Sequence, residues 1–442
     1  METNNSNINC LSSSSQLNYS SDDDDYDNNE KNKKIFNFKM ILFLVIIIIL
    51  IIIFMTIVVI LVYYIIIKPE KLESNRIRHP EIYLRLKEKS KIYNYVENCM
   101  KGILLDKKKY PKSENPKISI IIPVYNKENF ILRVLRSIQN QSFKDIEIIF
   151  CDDYSEDNSR LLIEKYQKED ERIVLLKQDK NRGTLINRID GVNLAKGEYI
   201  LFLDPDDLLL DNILTKIYPK AKNNNIDIFE FQAFAGDFNK TFYLSYNNRT
   251  TEPIYQPKLS DLMYYEKGYL EQTEFTIWAK LIKKQLFIEV IQSIDKYYTN
   301  QHMSLHEDGL CLLILFKKAK SYLFTKEYGM FYFLDENSIM RNLKKKERIN
   351  KTVRDCFLYL EFMFNYTNNT LHEKNMALSN FKGLLRGFKD IYLKVTEGFN
   401  YIYKVIDLYI NCDIISEEDK KEIKELKNEL KTVEINMASS RK

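Results

Sequence analysis

Histidine is scarce in this chain, with four in 442 residues, and its six cysteines (Cys10, Cys99, Cys151, Cys311, Cys356 and Cys412) stand far apart. No C-x-x-C occurs and no histidine follows a cysteine at ligand spacing, which excludes the usual zinc frameworks and leaves no pattern from which to read disulfides. Glycine is also sparse, eleven in all. Neither G-x-x-x-x-G-K-[ST] nor G-x-G-x-x-G is present, so a diphosphate cannot be held by a glycine-rich backbone cradle. Charge of one sign is missing too. A formal net charge of +4 gives no case for a nucleic-acid partner.

What the chain has is a long apolar run. "MILFLVIIIILIIIFMTIVVILVYYIII", residues 40–67, is uncharged and longer than the roughly 20 residues a helix needs to cross a bilayer. It is too long and too far into the chain for a signal peptide, and Tyr63 and Tyr64 suit a membrane interface. The expectation is one transmembrane helix. Residues 1–39 before it are polar, Asn- and Ser-rich, and read as a disordered tail. Residues 68–116 read as a stem or linker. Lys31, Lys33, Lys34 and Lys39 flank the span on one side, and Lys68, Lys71, Arg76 and Arg78 on the other. Charge therefore does not orient it.

From Lys117 the pattern changes. "ISIIIPVY" is a continuous β-branched run, the mark of a strand covered on both faces. "NFILRVLRSIQNQ" predicts a helix, "IEIIFC" a strand, "DNSRLLIEKYQKE" a helix and "RIVLLKQ" a third strand. "TLINRIDGVNLAKG" predicts a helix closed by Gly197, and "YILFL" a fourth strand. Such alternation builds βαβ units, hence a mostly parallel α/β sheet with helices on both faces, whose ligands bind off the carboxyl ends of the strands. "IDIFEFQAF" predicts a further strand and "TFYLSY" an edge strand. Residues 343–442 read as a helical region, ending in a Lys/Glu-rich solvated helix.

Acidic clusters stand at two of those carboxyl ends: "CDDYSED" after the second strand and "DPDD" after the fourth. Three aspartates crowded together repel one another unless a cation or a proton sits among them. A hard divalent cation that bridges diphosphate oxygens resolves both the charge and the missing glycine loop.

In this order and spacing the segments resemble an inverting family 2 glycosyltransferase of the GT-A, nucleotide-diphospho-sugar transferase fold. The matching pieces are "PKISIIIPVYNKENFILRVLRSIQNQSFKDIEIIFCDDYSEDNS", "NRGTLINRIDGVNLAKGEYILFLDPDD", "IWAKLIKKQLF" and "HEDGLCLLILFKKAKSY". The resemblance implies a catalytic domain over residues 117–342 that moves a sugar from a nucleotide-diphosphate sugar, a UDP-sugar, to a hydroxyl of a glycan, protein or lipid, with Mn²⁺ or Mg²⁺ as cofactor. It implies that Tyr125 stacks on uracil, and that Asp153, with Asp152 beside it, hydrogen-bonds the base. Asp204 and Asp206 form the D-x-D motif, which Asp207 continues. They touch the ribose and hold the metal, with Asp206 and Asp207 as metal candidates. Asp308 matches the general base, with Glu307 and Trp278 on the acceptor side. Arg188 matches an arginine of the family's "ARN" segment, here "NRI" with Ile189 in place of Asn. Arg341 and "ENSIMRN" match a diphosphate-contacting segment.

Two other roles belong to the residues themselves. Asp157 reads as a helix cap, and Tyr154 replaces the glycine usual after "DD". A tail, anchor, stem and catalytic domain in this order resemble a type II single-pass enzyme of the secretory pathway, in Golgi or ER. The competing expectation is a catalytically silent, membrane-anchored protein that binds a nucleotide sugar or glycan. Loss of Asp308 or of the D-x-D would favour that alternative, and both are intact. A nucleotidyltransferase is disfavoured because "PVYNKENF" has no glycine.

Overall fold

The computed structural model describes residues 94–103, 110–236, 276–334, 346–367 and 399–439 except 414, with shorter stretches at 242–244, 250–257, 265–266, 269–270, 373, 377–378 and 381–382. The apolar run at 40–67, the polar tail and the "ENSIMRN" loop lie outside the described residues. Among the described residues no helix is long and apolar enough to cross a membrane. The chain divides into two units, Met1–Tyr83 and Leu84–Lys442; all of the described residues belong to the second.

The predicted alternation is present. In chain order come β1 (Ile118–Val124), α1 (Glu128–Gln139), β2 (Ile146–Asp152), α2 (Ser159–Gln167), β3 (Ile173–Lys177), α3 (Thr184–Leu194) and β4 (Tyr199–Phe202). Then follow β5 (Leu208–Leu209), α4 (Ile213–Asn223), β6 (Ile228–Gly236), β7 (Phe242–Leu244) and β8 (Ile254–Tyr255), with a small hairpin of β9 (Tyr265–Glu266) and β10 (Tyr269–Leu270) standing apart. The second half holds β11 (Lys280–Lys283), α5 (Lys284–Ser293), α6 (Lys296–Thr299), α7 (Glu307–Lys318) and β12 (Ser321–Phe333). It ends with α8 (Lys346–Tyr366), α9 (Phe399–Ile410) and α10 (Glu417–Ser439). The predicted edge strand is β7, paired antiparallel with β6.

Ten strands form one sheet with the path β3-β2-β1-β4-β11-β6-β12-β5. β1, β2, β3 and β4 are mutually parallel, and β11 runs against both β4 and β6. The sheet is therefore mixed on one side of β4, where a short strand of four residues offers no periodicity from which to read direction. Strand order reverses between β2 and β4 around β1. That is the switch point of such sheets, and its crevice lies off the carboxyl ends.

Both faces of the sheet are buried, which is why β1 needs apolar residues throughout. Ile118, Ile120, Ile122 and Val124 pack with α1 and α4, while Ile121 faces the core of α3, α5 and α7. α3 lies very close to the sheet. A Cβ on Gly191 would come within 2.6 Å of the Ile121 side chain and 2.8 Å of Cys151 Sγ, so only glycine lets the helix press down here. The helix ends at Leu194, before Gly197, which instead lies against Ser119.

Two parts join this core that the sequence pattern assigns elsewhere. Val353, Phe357, Leu360, Ile406 and Tyr409 of α8 and α9 share one cluster with α3, α5 and α7, and α10 buries Ile423 and Leu430 in it. Upstream, residues 94–100, within the expected stem, are helical and bury Tyr95, Val96 and Cys99 against Leu208, Leu210, Phe331 and Phe333. The Tyr95 hydroxyl donates to the carbonyls of Ser137 and Leu209 at 3.2 and 3.1 Å, one proton shared between two acceptors.

Burial of each apolar side chain of this size is worth roughly 1.5–3 kcal/mol. A chain cut before residue 84 should therefore fold and melt cooperatively, whereas one cut at Lys112 should melt several degrees lower and aggregate. Equal melting temperatures for the two would show that the 94–100 helix contributes nothing.

Candidate functional site

The carboxyl ends of β1, β2 and β4 carry Tyr125, Asp152, Asp153, Asp204, Asp206 and Asp207. Tyr125 follows β1 and is exposed. The loops after β1 and β2 are tied together: Asn126 N donates to Ser155 Oγ at 3.0 Å and Glu156 N to Asn126 Oδ1 at 2.8 Å. Asp157 accepts from Glu128 N and Ser159 N, both at 3.0 Å, and so caps the starts of α1 and α2 together.

Asp152 is buried in an ion pair with Arg160, 2.6 Å, and accepts from Ser155 N. Asp153 is also buried, its two oxygens taking the amides of Arg182 at 2.7 Å and Gly183 at 2.9 Å. Burial raises its pKa from the ordinary value, against those two hydrogen bonds. Each carboxylate oxygen keeps a second lone pair. Gly183, with φ of 87°, presents its amide this way because its Cβ position is filled by Met303 O at 2.8 Å. Tyr154 has φ of 65°, which accounts for the glycine usual there; the ring stands exposed.

Arg188 of α3 joins the two halves of the site. It is buried, and its Nη2 reaches Asp204 Oδ1 at 2.9 Å, while Nη1 reaches Glu307 Oε1 at 2.7 Å and also Asp308 Oδ1. Burial works against the guanidinium's charge, but Asp308, Asp204 and Glu307 outweigh it and raise its pKa. One cation cannot neutralise three carboxylates. The deeply buried Glu307 is the one that yields: desolvation and then Asp308 push its pKa up to about 8, against Arg188. Asp308 Oδ2 also accepts from Ile277 N at 3.3 Å, next to Trp278, which stacks on Tyr332 with centroids 5.5 Å apart and packs at the core's edge. Glu307 and Asp308 form the first turn of α7, where the helix dipole favours negative charge.

The D-x-D residues are divided among three partners. Asp204 takes Arg188, Asp206 takes Lys127 Nζ at 2.6 Å, and the buried Asp207 accepts from Phe333 N at 3.0 Å. Among the described residues Asp207 Oδ2 is buried without a hydrogen-bond partner. Desolvation raises the pKa of Asp206, with Lys127 opposing and Asp204 adding; desolvation, Asp206 and Asp204 raise that of Asp207 well above the usual range. Among the described residues no three His, Cys, Asp or Glu side chains form a ready metal cluster.

The sequence reading did not include Lys127, nor the brace that α8 supplies. Lys351 donates to Ser304 Oγ at 2.8 Å, Asp355 accepts from Ser304 N at 3.0 Å, and Arg354 donates to His302 O at 3.3 Å. His306 stacks on Tyr359. Together these hold residues 302–306, which lead into Glu307 and Asp308. No local motif marks such contacts, since they join positions about fifty apart.

Residues 119–287 match the model of Glycosyl transferase family 2. Over these residues the chain is similar to family 2 glycosyltransferases. A Campylobacter jejuni protein, GalNAc(5)-diNAcBac-PP-undecaprenol beta-1,3-glucosyltransferase, is 32% identical over 190 residues, 39% of this chain and 62% of that protein. The chain thus spans less than two thirds of that relative. The Staphylococcus aureus poly(ribitol-phosphate) beta-N-acetylglucosaminyltransferase TarP is 28% identical over 246 residues, 52% of this chain and 72% of that protein. The crystal structure of S. aureus TarS 1–349 in complex with UDP-GlcNAc superposes with a TM-score of 0.51 at 17% identity, covering 73% of this chain and 92% of that one. The last likeness is one of fold. It extends the shared architecture of the glycosyltransferase domain beyond residue 287.

The raised Glu307 pKa makes a stability prediction. An acid whose folded pKa lies above its unfolded value, here about 8 against 4.5, costs stability progressively as pH rises through that window. Glu307→Gln should therefore melt closer to, or above, the parent as pH goes from 5 to 8.5. A melting difference independent of pH would show that Glu307 does not hold a proton in the folded chain.

Proposed function

We propose that the protein transfers a sugar from a nucleotide-diphosphate sugar, a UDP-sugar, to an acceptor hydroxyl with inversion, and that Asp308 is the general base. The observation that carries this reading is the shared guanidinium of Arg188, whose two terminal nitrogens hold Asp204 of the D-x-D on one and Asp308 on the other. Donor and acceptor sides of a single displacement lie that close together. Asp308 takes the acceptor's hydroxyl proton, the acceptor oxygen bonds C1, and the bond from C1 to the diphosphate oxygen breaks on the opposite face. The UDP and UDP-GlcNAc held in the TarS structures, and the glucosyl and N-acetylglucosaminyl activities in the relatives' names, support a donor of this class.

A divalent cation fits the D-x-D residues. Asp204 and Asp206 are partly exposed hard oxygen donors, Asp207 Oδ2 is a buried oxygen with no partner among the described residues, and the diphosphate would complete the shell in the manner of Mg²⁺ or Mn²⁺ bound by few carboxylates. When bound, such an ion neutralises charge on the leaving diphosphate. Tyr125 stacks on the base, and Asp153 fixes it through a free lone pair. The apolar run at 40–67 anchors the domain at a membrane, and the acceptor is a glycan, protein or lipid hydroxyl.

Asp308→Asn in the full chain keeps shape and removes proton acceptance. Turnover should fall by roughly two to four orders of magnitude with the donor KM little changed. UDP binding by calorimetry should persist. Near-parental turnover in this variant would overturn the assignment of the base.

A further inference from the structure

Lys127 stands against Asp206 Oδ2, where a cation bound to that oxygen would have to approach. Three contacts fix it there. Its backbone N–H donates to Ser159 Oγ at 2.8 Å, and its ammonium lies 5.1 Å from the centroid of the Phe130 ring. Nζ reaches Asp206 Oδ2 at 2.6 Å, with the lysine side chain 25% exposed and the carboxylate 17%. Phe130 in turn packs on Phe333, centroids 6.3 Å apart, and Phe333 N holds Asp207. A lysine on an open surface would be a solvated stem with a mobile head. Here the stem is anchored at its root, covered along its length and ion-paired at its tip.

The charge count around it is uneven. Among the described residues, Asp204, Asp206, Asp207, Glu307 and Asp308 share two cations, Arg188 and Lys127. Arg188 is deeply buried and shared three ways, so it cannot leave. Lys127 is the partly exposed cation, with one carboxylate partner among the described ion pairs and a flexible four-carbon stem. A divalent ion that ligates Asp206 at the usual 2.0–2.6 Å, roughly, would stand a few ångströms from the ammonium, and two cations that close repel unless one withdraws.

We propose that Lys127 is a built-in counter-ion for the D-x-D aspartate Asp206, which it must release for a divalent cation to bind, so that it sets the metal affinity of the nucleotide-free protein. This rests on the metal reading given above. The site is thereby kept charge-paired when no donor is present. Metal then binds well only when the diphosphate arrives with it and adds ligands and negative charge. The lysine is a positioning residue for the empty site, and its effect is on metal binding before any chemistry.

The test is Mn²⁺ binding to the full-length chain in detergent, by calorimetry and by the loss of the free Mn²⁺ resonance signal, without nucleotide. Lys127→Met keeps a stem over Phe130 and removes the charge; it should bind Mn²⁺ about tenfold more tightly than the parent. Lys127→Arg should stay near the parent. If Lys127→Met proves hard to fold, Mn²⁺ should raise its melting temperature more than it raises the parent's. Unchanged or weaker Mn²⁺ binding in Lys127→Met, with the parent binding normally, overturns the role of Lys127 alone. If neither protein binds Mn²⁺ even when UDP is added, the metal reading itself falls with it.

Discussion

A single buried guanidinium, that of Arg188, is shared by carboxylates from two parts of the chain more than one hundred residues apart. Removal of the guanidinium leaves its carboxylates, the buried Glu307 above all, without a counter-charge, and breaking a buried pair costs about 3–5 kcal/mol. The rest of the structure can be seen as what it takes to keep that arginine in place. Gly191 lets α3 press onto β1 and β2, β4 delivers Asp204, and the α8 contacts seat the segment that delivers Glu307 and Asp308. Fold and site are coupled through this one group.

The acidic cluster at the end of β4, unexplained by the strand itself, is thus only partly neutralised by the protein. Arg188 serves Asp204 and Lys127 serves Asp206, while Asp207 rests on a backbone amide. Burial first, and then the neighbouring carboxylates, hold Asp207 and Glu307 toward their protonated forms.

Much of this was legible from sequence. The β-branched run of β1, the alternation with α1, α2 and α3, and the acidic clusters after β2 and β4 follow from periodicity and charge alone, because each is local. The reversed direction of β11 was not, since four residues carry no direction. Nor was the burial of Tyr95, Val96 and Cys99, which form too short a helix to show a face within a Lys- and Tyr-rich stretch. α8 and α9 look merely helical in sequence; that they complete the core and brace residues 302–306 depends on contacts over fifty positions. Among the site residues, Asp204 and Asp308 meet at Arg188, a contact that no local pattern announces. Asp152 turns inward to Arg160, and Lys127 was missed because one lysine in a loop carries no pattern.

The central claim is that Arg188 energetically couples the D-x-D to the acid pair of α7. A double-mutant cycle on thermal or denaturant unfolding, with Arg188→Met, Asp308→Asn and the two combined, measures it directly. The account predicts a coupling of at least about 1 kcal/mol, with the double variant more stable than the sum of the single losses. Strict additivity would contradict it, and would mean that the contact between Arg188 and Asp308 does no work in the folded chain.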